Sequence, residues 1–318
     1  MIGYIIRRLL QIIAILVLVT FMVFIVLHIL PSDPLSMYMA QNEIVKLPPD
    51  KLEALRHDFG FDKPTIIQYL DWLGRILRGE LGYSIFLNQK VSQLIVKSFP
   101  ITAYLGSLAF VFGSILGILF GVICALRRGK WIDTVLTILA NMGITLPSFW
   151  VGILLIYVFA FNLGWLPVCG FTSPFDDPLL SLRTTIMPVF CLALFSLASL
   201  TRQTRSAILE VVMQDYVRTA WSKGLSERVV VFRHILKNSL IPVVTMMGIQ
   251  ARYLIGGTVV IETIFNIPGL GRLLTMAIFG QDYQVVEGSI LIIVLVITTL
   301  NLLVDISYVW FDPRIRYE

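Results

Sequence analysis

The stretch DYVRTAWSKGLSERVVVFRHILKNSLIP, residues 215–242, sets Arg218, Lys223, Arg228, Arg233 and Lys237 against only Asp215 and Glu227. It lies between two of the most apolar segments of the chain. Cations at this density can do one of two things. They can hold a helix on anionic lipid, at about 1 kcal/mol per Lys or Arg near the surface, or they can dock a protein. Gly224 permits the left-handed turn that ends a helix, and the small residues Thr219 and Ala220 beside it would let this corner enter a partner's groove. The local signals predict a helix over 202–220. Leu225 and Ser226 then act as staple and N-cap of a second helix, with Glu227 at its first position.

No residue set for covalent chemistry accompanies it. In CALRRGKW, Gly129-Lys130 imitates the end of a phosphate-binding loop, but Cys124 occupies the first glycine position and Trp131 follows the lysine. There is no Gly-x-Ser-x-Gly and no His-Glu-x-x-His. His28, His57 and His234 are far apart and lack metal-ligand spacing. Cys124, Cys169 and Cys191 imply no disulfide framework. Energy for any driven process must therefore enter through another subunit.

The elements that position the basic stretch follow from composition. Hydrophobic residues make up 57% of 318 and charged residues 14%, against roughly 25% charged in a soluble domain. Mean hydropathy is +0.84. Apolar runs near membrane-spanning length recur at about 9–30, 101–126, 134–161, 186–201, 239–261 and 285–309. The first run is too long for a signal-peptide core and no cleavage site follows, so it is expected to be a retained anchor. Arg7, Arg8, Arg127, Arg128, Lys130, Arg202, Arg205 and the 218–237 cations crowd one set of loops. The short loops 162–185 and 262–284 hold only Arg183 and Arg272. The positive-inside rule then places both termini and the basic stretch in the cytoplasm. Because the cations flank spans and form no separate domain, nucleic acid is not an expected partner.

Residues 31–100 are the one sizeable region outside the spans. Asp50 is expected to cap a short helix ending at Gly60. A second helix is expected to place Ile67, Leu70, Leu73 and Leu77 on one helical face and to end near Gly79. The region reads equally as a helical cap on the outer span ends or as a docking surface for an external partner. The 262–284 loop is too apolar for a simple solvent loop. Pro268 and the Gly269/Gly271 pair predict a turn before an apolar helix over 273–279, re-entrant or interfacial at the outer mouth. Gly256 and Gly257 suggest close helix contact or a hinge in the fifth span. Arg252, near the middle of that span, costs roughly 2.5–3.5 kcal/mol to insert. It is expected either to line the pathway and meet substrate carboxylates or to form an internal ion pair, with Asp305 or with a partner subunit.

YIIRRLL, ILPSDP, FGFDKPTIIQYLDWLGRILRGELGYS, LPSFWVGILLI, LGWLPVCGF, the basic stretch, GGTVVIETIFNIPGLGRLL and the terminal DPRIRY occur in this order. In these motifs, over essentially its whole length, the chain resembles the first (B-type) membrane permease of the oligopeptide/dipeptide/nickel ABC importers. The resemblance implies an all-α polytopic membrane protein with six transmembrane helices and the type I importer permease fold. Its parts are the anchor helix (1–30), an extracytoplasmic helical insert (31–100) and a five-helix core (101–318).

In that family the basic segment, here 202–238, resembles the "EAA" coupling loop, whose short helix enters a groove on the ATPase. The general pattern is Glu-Ala-Ala, three residues, Gly, then nine residues to Ile-x-Leu-Pro. Arg218, Thr219 and Ala220 stand at the first three positions and Gly224 matches the glycine. Pro242 comes five residues late, as in the peptide/nickel branch, and Arg218 lacks the acidic role. With the flanking Asp215, Tyr216, Lys223, Leu225 and Ser226 these form the implied ATPase-coupling set. The 264–279 segment, with Phe265, Pro268, Gly269, Leu270 and Gly271, resembles the family's outer gate or scoop. The implied partners are a second (C-type) permease, two ATPases that bind ATP and Mg, and an extracytoplasmic substrate-binding protein. No cofactor is implied in this chain itself. The implied location is a bacterial or archaeal cytoplasmic membrane. The implied cargo stays open among dipeptide, oligopeptide, glutathione and a nickel chelate. Arg252 departs from the small or apolar residues usual there.

Overall fold

The computed structural model describes residues 2–29, 63–84 and 86–311. The expected 50–60 helix, His57, ILPSDP after its first residue and the terminal DPRIRY lie outside them. The described chain is helical throughout apart from loops and one two-stranded hairpin. In order it comprises α1 (Ile2–Ile29), α2 (Thr65–Leu77), β1 (Tyr83–Ser84), β2 (Gln89–Lys90), α3 (Val91–Leu126), α4 (Trp131–Thr145) and α5 (Ser148–Leu155), which continues as a π-helix (Ile156–Asn162). There follow α6 (Pro178–Val212), α7 (Asp215–Ser222), α8 (Glu227–Val229) running through a π-helix (Val230–Leu236) into α9 (Lys237–Ile264), α10 (Leu270–Phe279) and α11 (Tyr283–Phe311). Among the described residues four helices are long and apolar enough to cross a membrane, and the number rises to six if each of two bent pairs is one span.

The third predicted span departs from expectation. α4 and the α5–π segment meet at 108°, because Pro147 has no N–H to continue the helix and forces Leu146 into extended backbone (ψ 132°). The fourth is much longer than 186–201. Asp177 caps it, its Oδ1 accepting the N–H groups of Leu179 and Leu180 at 3.0 Å. Pro178 stands at its first position, where the missing N–H costs nothing.

The chain divides into two compact units. One comprises residues to Thr102 with Pro268–Thr299, the other Ala103–Ile267 with the stretch from Leu300. In the second unit α6 is the central helix, and 72% of its most apolar window is buried. α3 reaches it through a glycine stripe. A Cβ on Gly113 would stand 3.1 Å from the Ala193 carbonyl oxygen, on Gly117 2.8 Å from that of Leu197, and on Gly121 2.5 Å from Thr204 Cβ. Three glycines spaced by four residues put one backbone against the other, the way apolar helices associate where lipid supplies no hydrophobic drive.

In the first unit Leu27, Val91, Leu94, Ile95, Leu270, Leu273, Ala277, Val285 and Val286 form the core. α2 packs on α1 through Tyr69 and Trp72, which join Phe24 in a second buried cluster. Of the aliphatic face, Ile67, Leu70 and Leu77 are exposed and Leu73 is only partly buried. The aromatics that interrupt the aliphatic pattern make the contact.

Candidate functional site

The basic stretch folds as an elbow. α6 ends at Val212 rather than running to Ala220. Gln214 is extended (ψ 145°), and Asp215 opens α7 with a carboxylate in its first turn. Two residues hold α7 down. Val217 and Ala220 are buried against Ala125 of α3, Ile208 of α6, and Val230, Val231 and Ile235 of the π-helical turn. The other elbow candidates, Asp215, Tyr216, Arg218, Thr219, Lys223, Gly224, Leu225 and Ser226, are exposed. Ala220 is therefore small for its own packing and presents nothing outward.

Local geometry explains the corner. Gly224 has φ +72° and a Cβ there would meet nothing within 4 Å, so the conformation and not crowding calls for glycine. Its N–H donates to the Trp221 carbonyl at 2.9 Å. Ser226 occupies the N-cap position, but its side chain makes no capping hydrogen bond. The second helix is not a separate piece. Three α-helical residues lead into the π-helix and on into α9.

Polar groups on the outer side of α7 are satisfied locally, apart from the Tyr216 hydroxyl, which accepts from Asn238 Nδ2 at 3.2 Å. The Thr219 hydroxyl donates to the Asp215 carbonyl (2.9 Å) and that of Ser222 to the Arg218 carbonyl (3.0 Å). Arg218 stands 3.7 Å from Asp215 with both side chains at least three-quarters exposed, a pair worth little. Trp221 and Phe232 are also exposed, 45% and 70%. The sequence reading missed both. The signal was present, since an aromatic in a polar, basic helix with no core position to fill marks contact surface.

One further tie was not foreseen. Asp133, at the start of α4, accepts from Arg205 Nε (2.7 Å) and Nη2 (2.9 Å) in a bidentate pair. It also accepts from the Gly129 N–H and the Thr137 hydroxyl. Its side chain is 7% exposed and Arg205's 31%. The pair fixes α4 to α6 one turn before the elbow cluster begins at Ile208.

At the other candidate region Phe265 is buried. Gly152 makes room for its ring, since a Cβ there would lie 3.3 Å from Phe265 Cε2. The Phe265 carbonyl accepts the N–H of Gly170 at 2.9 Å. Pro268 is exposed, while Gly269, Leu270 and Gly271 are buried at the start of α10. The helix begins three residues earlier than expected because the Leu270 N–H finds the Thr102 hydroxyl at 2.8 Å. After α10, Asp282 is buried and accepts from the Ser84 hydroxyl (2.5 Å) and the Phe86 N–H (3.2 Å). Gln284 Oε1 accepts the Tyr83 N–H at 2.6 Å. The hairpin is thus bound to this corner by side chains the sequence reading did not single out.

The proposed pathway residues are less informative. The backbone of Arg252 lies in α9, and its side chain lies outside the described residues. At the glycine pair, expected to make a close helix contact or a hinge, no close contact is seen among the described residues. A Cβ on Gly256 would meet nothing, and one on Gly257 would meet Leu192 Cδ2 at an ordinary 3.7 Å. α9 is tied to α6 instead by Gln250 Nε2 donating to Ser199 Oγ at 3.0 Å. A cavity of about 580 Å³ lined by Leu108, Phe112, Phe159, Leu182, Ile186 and Phe190 is apolar. It offers nothing to fix a polar solute, since specific sites need a few placed polar groups. Among the described residues no cluster of His, Cys, Asp and Glu could hold a metal.

Comparison with known proteins agrees with this architecture. Residues 117–317 match the family of binding-protein-dependent transport system inner membrane components, and residues 1–106 match its N-terminal companion. A Brucella abortus (strain 2308) chain, provisionally named a peptide transport system permease protein, is 42% identical over the whole of both chains. The di/tripeptide transport system permease of Pseudomonas aeruginosa (strain UCBPP-PA14) is 39% identical, with all of both chains covered. The glutathione transport system permease of Escherichia coli O6:H1 (strain CFT073) is 37% identical, again with full coverage. Among solved structures, the MetNI methionine ABC transporter aligns with TM-score 0.57 at 16% identity. That alignment covers 70% of this chain and 97% of that one, and it establishes likeness of fold.

Proposed function

We propose a function from one premise: the chain belongs to the family of inner membrane components of binding-protein-dependent transport systems. It acts as one of two permease subunits of an ATP-driven peptide importer, moving di- or oligopeptides inward across a bacterial or archaeal cytoplasmic membrane. The observation that carries the peptide reading is identity of 42% and 39%, end to end, with permeases named for peptide and di/tripeptide transport.

In this account both termini and the elbow are cytoplasmic. The exposed residues Asp215, Tyr216, Arg218, Thr219, Lys223, Gly224, Leu225 and Ser226 seat on an ATPase subunit, with Ala220 and Val217 holding the element to the spans. ATP and Mg bind to two partner ATPases and not to this chain. Closure of the ATPases pulls the elbow, and the buried Val217–Ala220 contact carries the motion to α3, α6 and α9. The segment with Phe265, Pro268, Gly269, Leu270 and Gly271 serves as the outer gate beneath a docked binding protein. Arg252, with Gly256 and Gly257, belongs to the translocation path.

A second cargo, glutathione, is supported by the full-length 37% identity with a glutathione permease. The test is reconstitution with the second permease, the ATPases and the binding protein in vesicles, offering labelled dipeptide, oligopeptide and glutathione. ATP-dependent uptake of a peptide in the presence of the binding protein is expected. Uptake by this chain alone without ATP would overturn the proposal in favour of a stand-alone carrier.

A further inference from the structure

α2 carries more apolar surface than its contact with α1 uses. Tyr69, Trp72 and Ile76 face α1, and Gln68, Asp71, Arg75 and Arg78 form one polar arc by helical spacing. Between these two arcs lie Ile66, Leu70 and Leu77, with Ile67 at the polar edge, exposed by 65%, 57%, 82% and 45%. Leaving this face in water forfeits roughly 25 cal/mol for every Å² of apolar surface that could be covered.

The contact with α1 sets its depth. The Tyr69 hydroxyl donates to the Val17 carbonyl at 3.1 Å and lies 3.0 Å from the Thr20 hydroxyl. Its ring packs edge-on against Phe21 and Phe24. Gln68 Oε1 lies 3.1 Å from His28 Nε2. Counted from Arg8, Thr20 is about 18 Å and His28 about 30 Å along the helix, in a hydrocarbon core of about 30 Å. On the same count Val17 lies about 14 Å from Arg8, so α2 meets α1 from the middle of the span to the end remote from Arg7 and Arg8, at the level of acyl chains. Over the same stretch α1 leaves Leu18, Met22, Val26 and Ile29 exposed, so the surroundings are apolar there too. The polar arc, with the 2.6 Å pair of Lys63 and Asp71 at its edge, has the charge segregation of a helix lying in the membrane interface.

We propose that α2 is an interfacial anchor. Its Ile66, Ile67, Leu70 and Leu77 face is covered by lipid acyl chains of the leaflet at the far end of α1, and its polar arc meets the headgroups. That this leaflet is the extracytoplasmic one rests on the topology proposed above; the burial itself does not.

The test uses the full transport complex in phosphatidylethanolamine/phosphatidylglycerol nanodiscs, with Cys124, Cys169 and Cys191 replaced by serine. Nitroxides are attached at Leu70→Cys, Leu77→Cys and Asp71→Cys, and accessibility to oxygen and to a water-soluble nickel chelate is compared. At Leu70 and Leu77 oxygen accessibility should exceed nickel accessibility, with the order inverted at Asp71. Equal nickel accessibility at all three positions would place the face in water and overturn the anchor. Shielding from both reagents at Leu70 and Leu77 would mean protein covers it, and would overturn it equally. Labelling of Lys63→Cys by an impermeant maleimide on intact cells reads the topology separately. Labelling only after permeabilisation would refute the topology while leaving the anchor standing.

Discussion

The elbow at 213–229 and the corner at 268–286 are both turns between long helices, and they resolve their polar groups in opposite ways. At the corner, long-range partners meet: Asp282 with Ser84 and Phe86, Gln284 with Tyr83, and Leu270 with Thr102. At the elbow the outward Thr219 and Ser222 hydroxyls bond within one helical turn, and among the described residues α7 is held at longer range by the apolar seat of Val217 and Ala220 and by Asn238 Nδ2 donating to the Tyr216 hydroxyl at 3.2 Å. A turn that satisfies itself is a structural joint. A turn that fastens one face and leaves the other open is built to receive something.

Mutations can break or sharpen this contrast. The largest effect on stability is expected at the corner. Asp282→Ala strands the Ser84 hydroxyl and the Phe86 N–H, a loss of about 3 kcal/mol on the scale of buried hydrogen bonds to a charged group, read as a lower thermal midpoint of the purified chain in detergent. If the midpoint stays put, the corner is not the closed joint described here. Val217→Ala empties part of the elbow seat, for about 2 kcal/mol from two lost methyl groups and the void they leave. In the assembled transporter, ATPase activity should then persist while uptake per ATP hydrolysed falls; uptake falling only in proportion to hydrolysis would remove Val217 from the coupling route. Gly224→Ala meets no atom and should cost only about 1 kcal/mol for holding an L-residue at positive φ, in the same thermal assay. The smallest stability change belongs to the outward face. Tyr216→Ala, Arg218→Ala and Leu225→Ala should each move the midpoint by less than about 0.5 kcal/mol equivalent, yet each should weaken co-purification of the ATPases. Stability losses as large as that of Val217→Ala would show that this face packs internally and that the contrast is false.

The span pattern, the elbow's glycine turn and the short helix after Pro268 were legible because each rests on a local signal: apolar length, required φ, or a helix-breaking residue. What remained hidden depends on which side of a helix meets which neighbour. A span apolar all round does not declare its packed face, so the Gly113–Gly117–Gly121 stripe against α6 passed unnoticed although its spacing was in view. On α2 the aliphatic residues follow a helical period well, but a period does not say which face is packed; Tyr69 and Trp72 make the contact with α1, and Tyr69 adds a hydrogen bond to it. Pro147 sat in plain sight inside an apolar run long enough to hide the break it causes. Asp133 and Arg205 read as separate loop charges, since nothing local reveals that residues 72 positions apart share a bidentate pair. The exposure of Trp221 and Phe232, like the inward turn of Ala220, follows from where the elbow cluster sits rather than from any motif.

The central claim is that the open face of the elbow seats on an ATPase and moves with it. Ser222→Cys, exposed beside Gly224, tests it most directly in a complex otherwise free of cysteine apart from single cysteines placed around the ATPase groove. The account predicts a disulfide between position 222 and the ATPase whose yield changes when ATP is added, with transport arrested in the crosslinked state. Absence of any such crosslink in a complex that transports, together with unchanged ATP hydrolysis and uptake after deletion of residues 215–226, would contradict it.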